Sequence, residues 1–306
     1  MPAPPLVTVI TATYNGAATL RSTLSSLCGQ EFTDFEAWIV GDASTDDSEA
    51  LVASMRDTRL HWTNLATNSG SQSAANNEGL RRARGTYVAY LGHDDLWFPW
   101  HLATLVRTLE AGDADLAHSL VALLDPAGIA GVIGEPPDGV ARRHHFIPPS
   151  SWLHRRAAAE RIGEWTPPGT ASCGVDLDYA RRMLAAGSRF TFTPRLSVLK
   201  FPSAWFRAYA PDGIRPQASF LARMQADACG LEHDVLTDLA RLLARDQATP
   251  GSRPGSDLAY LRQALRVVAK RRMRDRLDRW WPMQQFEHWR FQRARRHARL
   301  TRGLTP

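Results

Sequence analysis

The chain contains the segment Thr86-Tyr-Val-Ala-Tyr-Leu-Gly-His-Asp-Asp95, and this segment indicates the fold class. Its first seven residues alternate and are rich in aromatic and branched side chains, which is typical of a β-strand. Two carboxylates, Asp94 and Asp95, follow the strand directly. Open α/β sheets hold their ligands at the carboxyl ends of the strands, so the acid pair is a candidate functional site.

The acid pair has two interpretations. Adjacent carboxylates repel, because like charges about 4 Å apart cost on the order of 4 kcal/mol at an effective dielectric near 20. A divalent cation between Asp94 and Asp95 would reverse that sign, and hard oxygen ligands suit Mg²⁺ or Mn²⁺. Alternatively, both residues cap a helix expected to begin at Leu96-Trp97-Phe98-Pro99, since Asp is a favoured cap. His93 is expected to be a hydrogen-bonding neighbour rather than a ligand.

The composition of the 306-residue chain, 44% hydrophobic and 22% charged, is that of an ordinary globular protein. Three widely spaced cysteines, Cys28, Cys173 and Cys229, favour a reducing compartment without a disulfide framework. No charged-then-apolar leader begins the chain, and no apolar run approaches the ~20 residues of a membrane span. We therefore expect a cytoplasmic protein.

Strand and helix patterns alternate through the first 120 residues. Strand patterns cover 6–13, 35–40, 60–64, 86–92 and 115–124, and helical patterns lie between them at 19–27, 48–55, 73–84 and 99–111. Further on, we expect a returning strand over 129–133, a loop over 135–150, helices over 152–163 and 176–186, and strands over 189–193 and 196–201. The alternation predicts an α/β fold with a mostly parallel sheet covered on both faces.

Four polar loops follow strands of the predicted sheet. They comprise residues 11–16 with Tyr14, 40–47 with Asp42, the small-residue segment 68–79, and 92–95 with the acid pair. Each loop alone has an ordinary structural explanation as a turn or a helix start. Four of them in order at one sheet edge favour a ligand-binding cleft.

Over roughly residues 5–205 the sequence resembles the inverting glycosyltransferases of family 2, which have the nucleotide-sugar-binding fold called GT-A. The matching segments are Val9-Ile10, Tyr14-Asn15, Phe35-Glu36, Gly41-Asp42-Ala43-Ser44-Thr45-Asp46, Asn68-x-Gly70, Ser73-Ala-Ala75, Asn77-x-Gly79, Ala83-x-Gly85-x-Tyr87, Asp94-Asp95-Leu96-Trp97-x-Pro99 and Gly174-Val-Asp176-Leu-Asp178-Tyr-Ala-Arg-Arg182. The resemblance implies a nucleotide-sugar-binding half (1–120) and an acceptor-binding half (121–212). The helical pattern and the basic residues beyond them predict a helical, basic C-terminal extension (213–306).

The resemblance also implies roles for individual residues. The donor nucleotide sugar would contact Thr13, Tyr14, Asp42, Asn68, Asn77 and Asp94, with Tyr14 and Asp42 at the base. Asp95, together with Asp94, would bind an Mn²⁺ or Mg²⁺ ion that bridges the diphosphate. Asp176 stands where the family has its general base, and Asp178 is the neighbouring candidate. About 200° of helix rotation separates these two acids, so both do not face one cleft.

Four departures from the family pattern weaken the metal assignment and the identity of the donor. They are Gly92 and Gly41 at positions where acids are common, Asn76 in place of a frequent Arg, and Val175 in place of Glu. They motivate an alternative in which the chain is a catalytically silent nucleotide-binding or scaffolding relative. An oxidoreductase is disfavoured, because residues 11–16 lack a glycine fingerprint after the first strand.

The expected activity is transfer of a sugar from a nucleoside-diphosphate donor, with UDP-sugars favoured by family habit. The acceptor would be a glycan or lipid-linked sugar of a bacterial surface-polysaccharide pathway. Lys200 is a further candidate for the diphosphate, and Ser150-Ser151-Trp152 for the acceptor. His144-His145 lie in a Pro-flanked segment that is most simply a loop.

The C-terminal 50 residues, 257–306, carry 14 Arg or Lys and four acids. Basic residues mixed with tryptophans suit an anionic membrane surface, so peripheral contact with the inner face of the cytoplasmic membrane is one interpretation. A solvated helical face is the other. No nucleic-acid-binding motif accompanies the charge, so nucleic acid is not expected as a partner.

Overall fold

The structure is a computed structural model that describes residues 3–134, 146–171, 173–207, 209 and 212–247. The chain divides into two compact units, Met1–Leu236 and Thr237–Pro306. The first of these units contains the sheet.

The first half of the unit is a parallel sheet. Its strands are β1 (Val7–Thr13), β2 (Phe35–Gly41), β3 (Leu60–Asn64) and β4 (Tyr87–Tyr90), in the spatial order β3-β2-β1-β4. The connecting helices are α1 (Ala17–Cys28), α2 (Ser48–Ser54) and α3 (Gln72–Arg82). Residues of β1 and β4 are buried on both faces, as parallel strands covered by helices require. All four strand carboxyl ends therefore meet at one edge.

The second half continues the same sheet in the order β4-β8-β6-β9-β5, with β7 on β6. Its strands are β5 (Leu96–Trp97), β6 (Leu116–Asp125), β7 (Gly128–Ile133), β8 (Trp152–Arg155) and β9 (Phe190–Lys200). Its helices are α4 (His101–Glu110), α5 (Arg156–Ile162), α6 (Val175–Ala185), α7 (Ser203–Phe206) and α8 (Gln217–Ala226); α9 (Ala228–Gln247) continues past the unit boundary.

The predicted α/β fold class is confirmed, although the sheet is mostly parallel only in its first half. In the second half, β6 and β9 are parallel, whereas β8, β7 and β5 pair antiparallel with their neighbours. The predicted boundary at 120/121 falls inside β6, and the predicted boundary at 212/213 lies before α8. The domain division stays a prediction.

Three local predictions were wrong. Residues 152–155 form β8 rather than the start of a helix, because β4 and β6 pair with it on both sides and bury Trp152 completely. Leu96–Trp97 is a short strand paired with β9 rather than a helix start. The two short strands predicted over 189–201 are one strand, β9, whose register with β6 shifts between Ser119 and Val121. Long-range pairing outweighed local preference in each case.

Candidate functional site

Hydrogen bonds between side chains and backbone tie together the loops that follow β1, β2 and β3. Asn15 accepts from the backbone N–H of Thr45 at 2.8 Å, and the Asn15 N–H donates to Ser44 Oγ at 3.2 Å. Asn64 bonds both backbone groups of Ser44, at 2.9 and 2.8 Å. Asn15 and Ala43 adopt left-handed conformations, with φ of 47° and 57°. These loops therefore form a pre-shaped rim on which Tyr14 is carried.

Asp42 holds the third loop against β2. Its carboxylate accepts from the Ser69 N–H at 2.9 Å, from the Ser69 hydroxyl at 3.1 Å and from the Gly70 N–H at 3.1 Å. Asn68 Oδ1 also accepts from the Gly70 N–H, at 2.6 Å. Asp42 is 5% exposed, so its predicted contact with the base stays a prediction, and its described bonds are structural.

Two predicted donor contacts, Thr13 and Asn68, present buried polar atoms that lack a partner. The Thr13 hydroxyl and the Asn68 Nδ2 amide have no hydrogen-bond partner among the residues that the structure describes. An unsatisfied buried polar group is costly, and a bound ligand or water would remove that cost. Their predicted role at the donor is compatible with this arrangement.

Asn77, which was predicted to contact the donor, binds the backbone of Trp165. Its Oδ1 accepts from the Trp165 N–H at 2.7 Å, and its Nδ2 donates to the Trp165 carbonyl at 3.0 Å. Asn77 is 6% exposed, and both ends of its carboxamide are engaged by the backbone. These bonds connect α3 to the segment that precedes α6, and the contact of Asn77 with the donor stays a prediction.

Asp95 is completely buried and accepts hydrogen bonds at both oxygens. Oδ2 accepts from the Ser150 hydroxyl at 2.5 Å and from the Lys200 ammonium at 2.9 Å, and Oδ1 accepts from the Phe201 N–H at 3.0 Å. Burial raises the pKa of Asp95, and Lys200 opposes that rise. Each carboxylate oxygen has two lone pairs, so Oδ2 is fully engaged whereas Oδ1 keeps one, and Asp95 as a metal ligand stays a prediction.

Asp94 is held differently. Its Oδ2 accepts from the Ser203 hydroxyl, and its backbone carbonyl accepts from Gln217 Nε2 at 3.1 Å. The ring of His93 lies 6.1 Å from that of Tyr209, centroid to centroid. Ser203, at the start of α7, and Gln217, at the start of α8, thus contact Asp94. No sequence motif indicated these two residues.

A divalent cation fits this donor set only in a limited way. The described residues include no group of three or more His, Cys, Asp or Glu side chains arranged to hold a metal. Asp94, bonded at Oδ2 to a neutral hydroxyl, is the carboxylate of the pair suited to a cation. Mg²⁺-type ions are commonly held by one or two carboxylates together with substrate phosphates. Asp94 with a bound diphosphate satisfies that description.

Gly92 leaves no space for the acid that relatives carry there. A Cβ at this position would lie 2.7 Å from Asp95 Oδ2 and 3.3 Å from Ser150 Oγ. The carboxylate of Asp95 is fixed by Lys200, so it has little freedom to move away. The departure at Gly92 and the inward orientation of Asp95 are therefore one feature.

The two candidate bases differ in their surroundings. Asp178 accepts from the Thr166 hydroxyl at 2.5 Å and from Arg182 at 3.0 Å, which is a structural ion pair. Asp176 lies in the first turn of α6, and its described bond is to the N–H of the next residue, Leu177, at 2.9 Å. Burial raises the pKa of Asp176, and Lys200 lowers it in part. The assignment of Asp176 as the general base stays a prediction, and its surroundings are compatible with it.

The remaining candidates divide into three groups. Ser150 bonds Asp95, which makes it part of the acid pair's support rather than an acceptor contact. Trp152 is fully buried in an aromatic cluster with Tyr90 and Trp165, so it is a core residue. His144 and His145 lie outside the described residues, as does the basic segment 257–306.

Comparison with known proteins supports the resemblance. Residues 8–122 match the model of the family described as glycosyl transferase family 2. The chain is 40% identical over 95 residues to the putative teichuronic acid biosynthesis glycosyltransferase TuaG of Bacillus subtilis, covering 30% of this chain and 37% of TuaG. It is 29% identical over 133 residues to the Escherichia coli UDP-Glc:alpha-D-GlcNAc-diphosphoundecaprenol beta-1,3-glucosyltransferase WfaP, covering 44% of this chain and 53% of WfaP. The resemblance to family 2 is confirmed, although the chain spans only about a third to a half of these relatives.

Solved structures confirm the GT-A fold. The S. aureus TarS fragment in complex with UDP-GlcNAc superposes with a TM-score of 0.56 at 18% identity, over 76% of this chain and 71% of the fragment. The mannosyltransferase PcManGT from Pyrobaculum calidifontis, in complex with GDP-Man and Mn²⁺, superposes with a TM-score of 0.52 at 20% identity, over 97% of this chain and 87% of PcManGT. At this identity the likeness concerns the fold alone.

Proposed function

We propose that the chain is an inverting glycosyltransferase that uses a nucleoside-diphosphate sugar, with UDP-sugars favoured. The acceptor is a hydroxyl of a glycan or lipid-linked sugar in a bacterial surface-polysaccharide pathway. One observation carries the proposal: Asp176 is a half-buried carboxylate in the first turn of α6, desolvation raises its pKa, and its charge interacts with Lys200, the partner of Asp95. A proton acceptor and a diphosphate-binding region therefore belong to one cleft.

The reaction follows from these positions. Asp176 takes the proton of the acceptor hydroxyl while the hydroxyl oxygen attacks the anomeric carbon of the donor. The bond between that carbon and the diphosphate oxygen breaks on the opposite face, and its electron pair leaves with the nucleoside diphosphate. One in-line displacement inverts the configuration of the sugar. The raised pKa suits a base that works near neutral pH.

The cation predicted from the sequence, Mn²⁺ or Mg²⁺, belongs to the proposal with Asp94 as its protein ligand. When bound, such an ion neutralises charge on the departing diphosphate. PcManGT, a structural neighbour, was solved with Mn²⁺. Two observations support uracil as the nucleobase of the donor: the TarS structure contains UDP-GlcNAc, and the name of WfaP includes UDP-Glc.

Membrane association is a separate proposal. None of the described helices is long and apolar enough to cross a bilayer. Peripheral contact rests on the charge of residues 257–306, and a lipid-linked acceptor would be reached most easily from a membrane surface.

The alternative is a catalytically silent relative, motivated by Gly41, Gly92 and Val175. It predicts nucleotide binding without turnover, so the variant Asp176→Asn separates the two functions. In the enzyme, this variant loses donor turnover by about 10²–10⁴-fold, which is the typical contribution of a general base. It retains nucleoside-diphosphate affinity, measured by calorimetry.

The matched control is Asp178→Asn, which removes a carboxylate two residues away on the same helix. It weakens the contacts with Thr166 and Arg182 and lowers the melting temperature, but it leaves turnover within a fewfold of wild type. Equal losses of turnover in both variants would contradict Asp176 as the base. Nucleotide binding by a wild-type protein without turnover of any donor would favour the silent relative.

A further inference from the structure

We infer that Lys200 contacts the diphosphate of the donor directly and stabilises it as a leaving group, while keeping its ion pair with Asp95. The inference deepens the proposed function and rests on it. It assigns a substrate-binding and catalytic role to Lys200, the last residue of β9.

The position of Lys200 places one positive charge among three acids. Its ammonium lies 2.9 Å from Asp95 Oδ2. It also interacts electrostatically with Asp94 and Asp176, the proposed cation ligand and the proposed base. Lys200 is thus the basic group that connects both sides of the cleft.

The ammonium has hydrogen-bonding capacity beyond its ion pair. A lysine ammonium carries three donors, and the described hydrogen bond to Asp95 uses one of them. The Lys200 side chain is 21% exposed, whereas Asp95 is fully buried, so Lys200 is the member of the pair that reaches the surface. A phosphate oxygen that enters the cleft can therefore accept a second hydrogen bond without separating Lys200 from Asp95.

Lys200 is charged throughout the working pH range. Burial lowers its pKa, but Asp95 and Asp94 raise it more, so the net pKa lies above the ordinary value of 10.5. Hydrogen bonds from a charged donor to phosphate are about twice as strong as neutral ones. The interaction strengthens as negative charge develops on the departing diphosphate, which is the requirement for lowering a barrier.

A purely structural role for Lys200 is the competing explanation, since removal of one member of a buried ion pair leaves the other uncompensated. The single variant Lys200→Met therefore does not discriminate between the explanations. The double variant Lys200→Met/Asp95→Asn does, because it removes both charges, preserves the net charge and retains an amide that bonds Ser150 and Phe201. The single variant Asp95→Asn is its matched control, since it keeps the ammonium.

The experiment measures affinity for a nucleoside diphosphate and for the corresponding nucleoside by calorimetry or ligand-detected NMR. The diphosphate used is the one of UDP, GDP and dTDP that binds the wild type most tightly, and the nucleoside is the one with the same base. We expect the double variant to bind the nucleoside as the wild type does, and the diphosphate about tenfold or more weakly. We expect Asp95→Asn to bind the diphosphate at least as tightly as the wild type.

Three outcomes would overturn the inference. If the double variant binds the diphosphate as the wild type does, Lys200 does not contact it. If Asp95→Asn and the double variant lose diphosphate affinity equally, the ion pair acts only through structure. If the wild type binds none of the three diphosphates, the proposed function fails and the inference fails with it.

Discussion

Burial determines the chemistry that Asp176 is able to perform. The carboxylate lies in the first turn of α6, and loss of hydration raises its pKa above the ordinary value of 3.8 despite the attraction of Lys200. Two residues further on, Asp178 is bound to Arg182 and Thr166 and is committed to structure. Two acids of one helical turn thus have different surroundings, and this difference is the reason why we propose Asp176 rather than Asp178 as the base.

The pH dependence of turnover tests this difference. The base must be ionised, and its pKa is raised, so kcat should fall with decreasing pH at a higher pH than an ordinary carboxylate would give. The measurement is kcat between pH 4.5 and 8 with donor and acceptor at saturation. Asp178→Asn should retain the same acidic limb. An acidic limb at or below the ordinary carboxylate range would argue against Asp176.

The cation should depend on the nucleotide. Asp94 is one carboxylate, and Asp95 is engaged by Lys200, Ser150 and Phe201, so the residues that the structure describes offer few ligands by themselves. We expect Mn²⁺ to bind at least about tenfold more tightly in the presence of the bound nucleoside diphosphate, since phosphate oxygens complete the coordination. Electron paramagnetic resonance of free Mn²⁺ measures this. Equal Mn²⁺ affinity with and without nucleotide would show a preformed site.

At the scale of elements, side chains at strand ends connect segments distant in sequence. Asn77 on α3 bonds the backbone of Trp165, and Glu36 on β2 accepts from the backbone and guanidinium of Arg84 and from the Thr8 hydroxyl. Gly85 is required beside them, because a Cβ there would lie 2.5 Å from the Thr8 backbone nitrogen. Several residues in the motifs that resemble family 2 therefore make contacts that hold the fold together.

The Asn77 contact has a measurable cost. Asn77→Ala leaves the N–H and carbonyl of Trp165 without their partner and should lower the free energy of unfolding by about 1–3 kcal/mol. The adjacent Asn76→Ala is the control, because Asn76 Nδ2 has no hydrogen-bond partner among the described residues. Urea denaturation measures both variants. A larger loss at Asn76 than at Asn77 would contradict the assignment.

At the scale of the whole molecule, buried histidines make stability sensitive to acid. Burial lowers the pKa of His101 to about 3 and that of His154 to about 4, from an ordinary value of 6.5. Below pH 6.5 the unfolded chain binds protons that the native state does not, so stability falls as pH decreases. Each histidine should cost about 2 kcal/mol between pH 6.5 and 5.

The variant His101→Gln tests this linkage. It should unfold more easily at every pH, because the bond to Ser197 and the stacking on Trp97 are altered. Its loss of stability between pH 6.5 and 5 should nevertheless be smaller than that of the wild type by about 2 kcal/mol, since the contribution of His101 is gone. Urea unfolding at both pH values measures the difference. An unchanged difference would show that His101 is protonated in the native state.

The periodic pattern of the first 120 residues was sufficient to predict the alternating strands and helices and the sheet edge, because apolar spacing reports local structure directly. The pairing of β8 between β4 and β6 depended on tertiary structure, since a four-residue strand carries little local signal. The partners of Asp95 and Asn77 are likewise 105 and 88 residues distant along the chain. Sequence motifs identified the acids. Only the tertiary structure shows that Lys200 lies beside them, and it is the basis on which we propose Asp94 as the cation ligand.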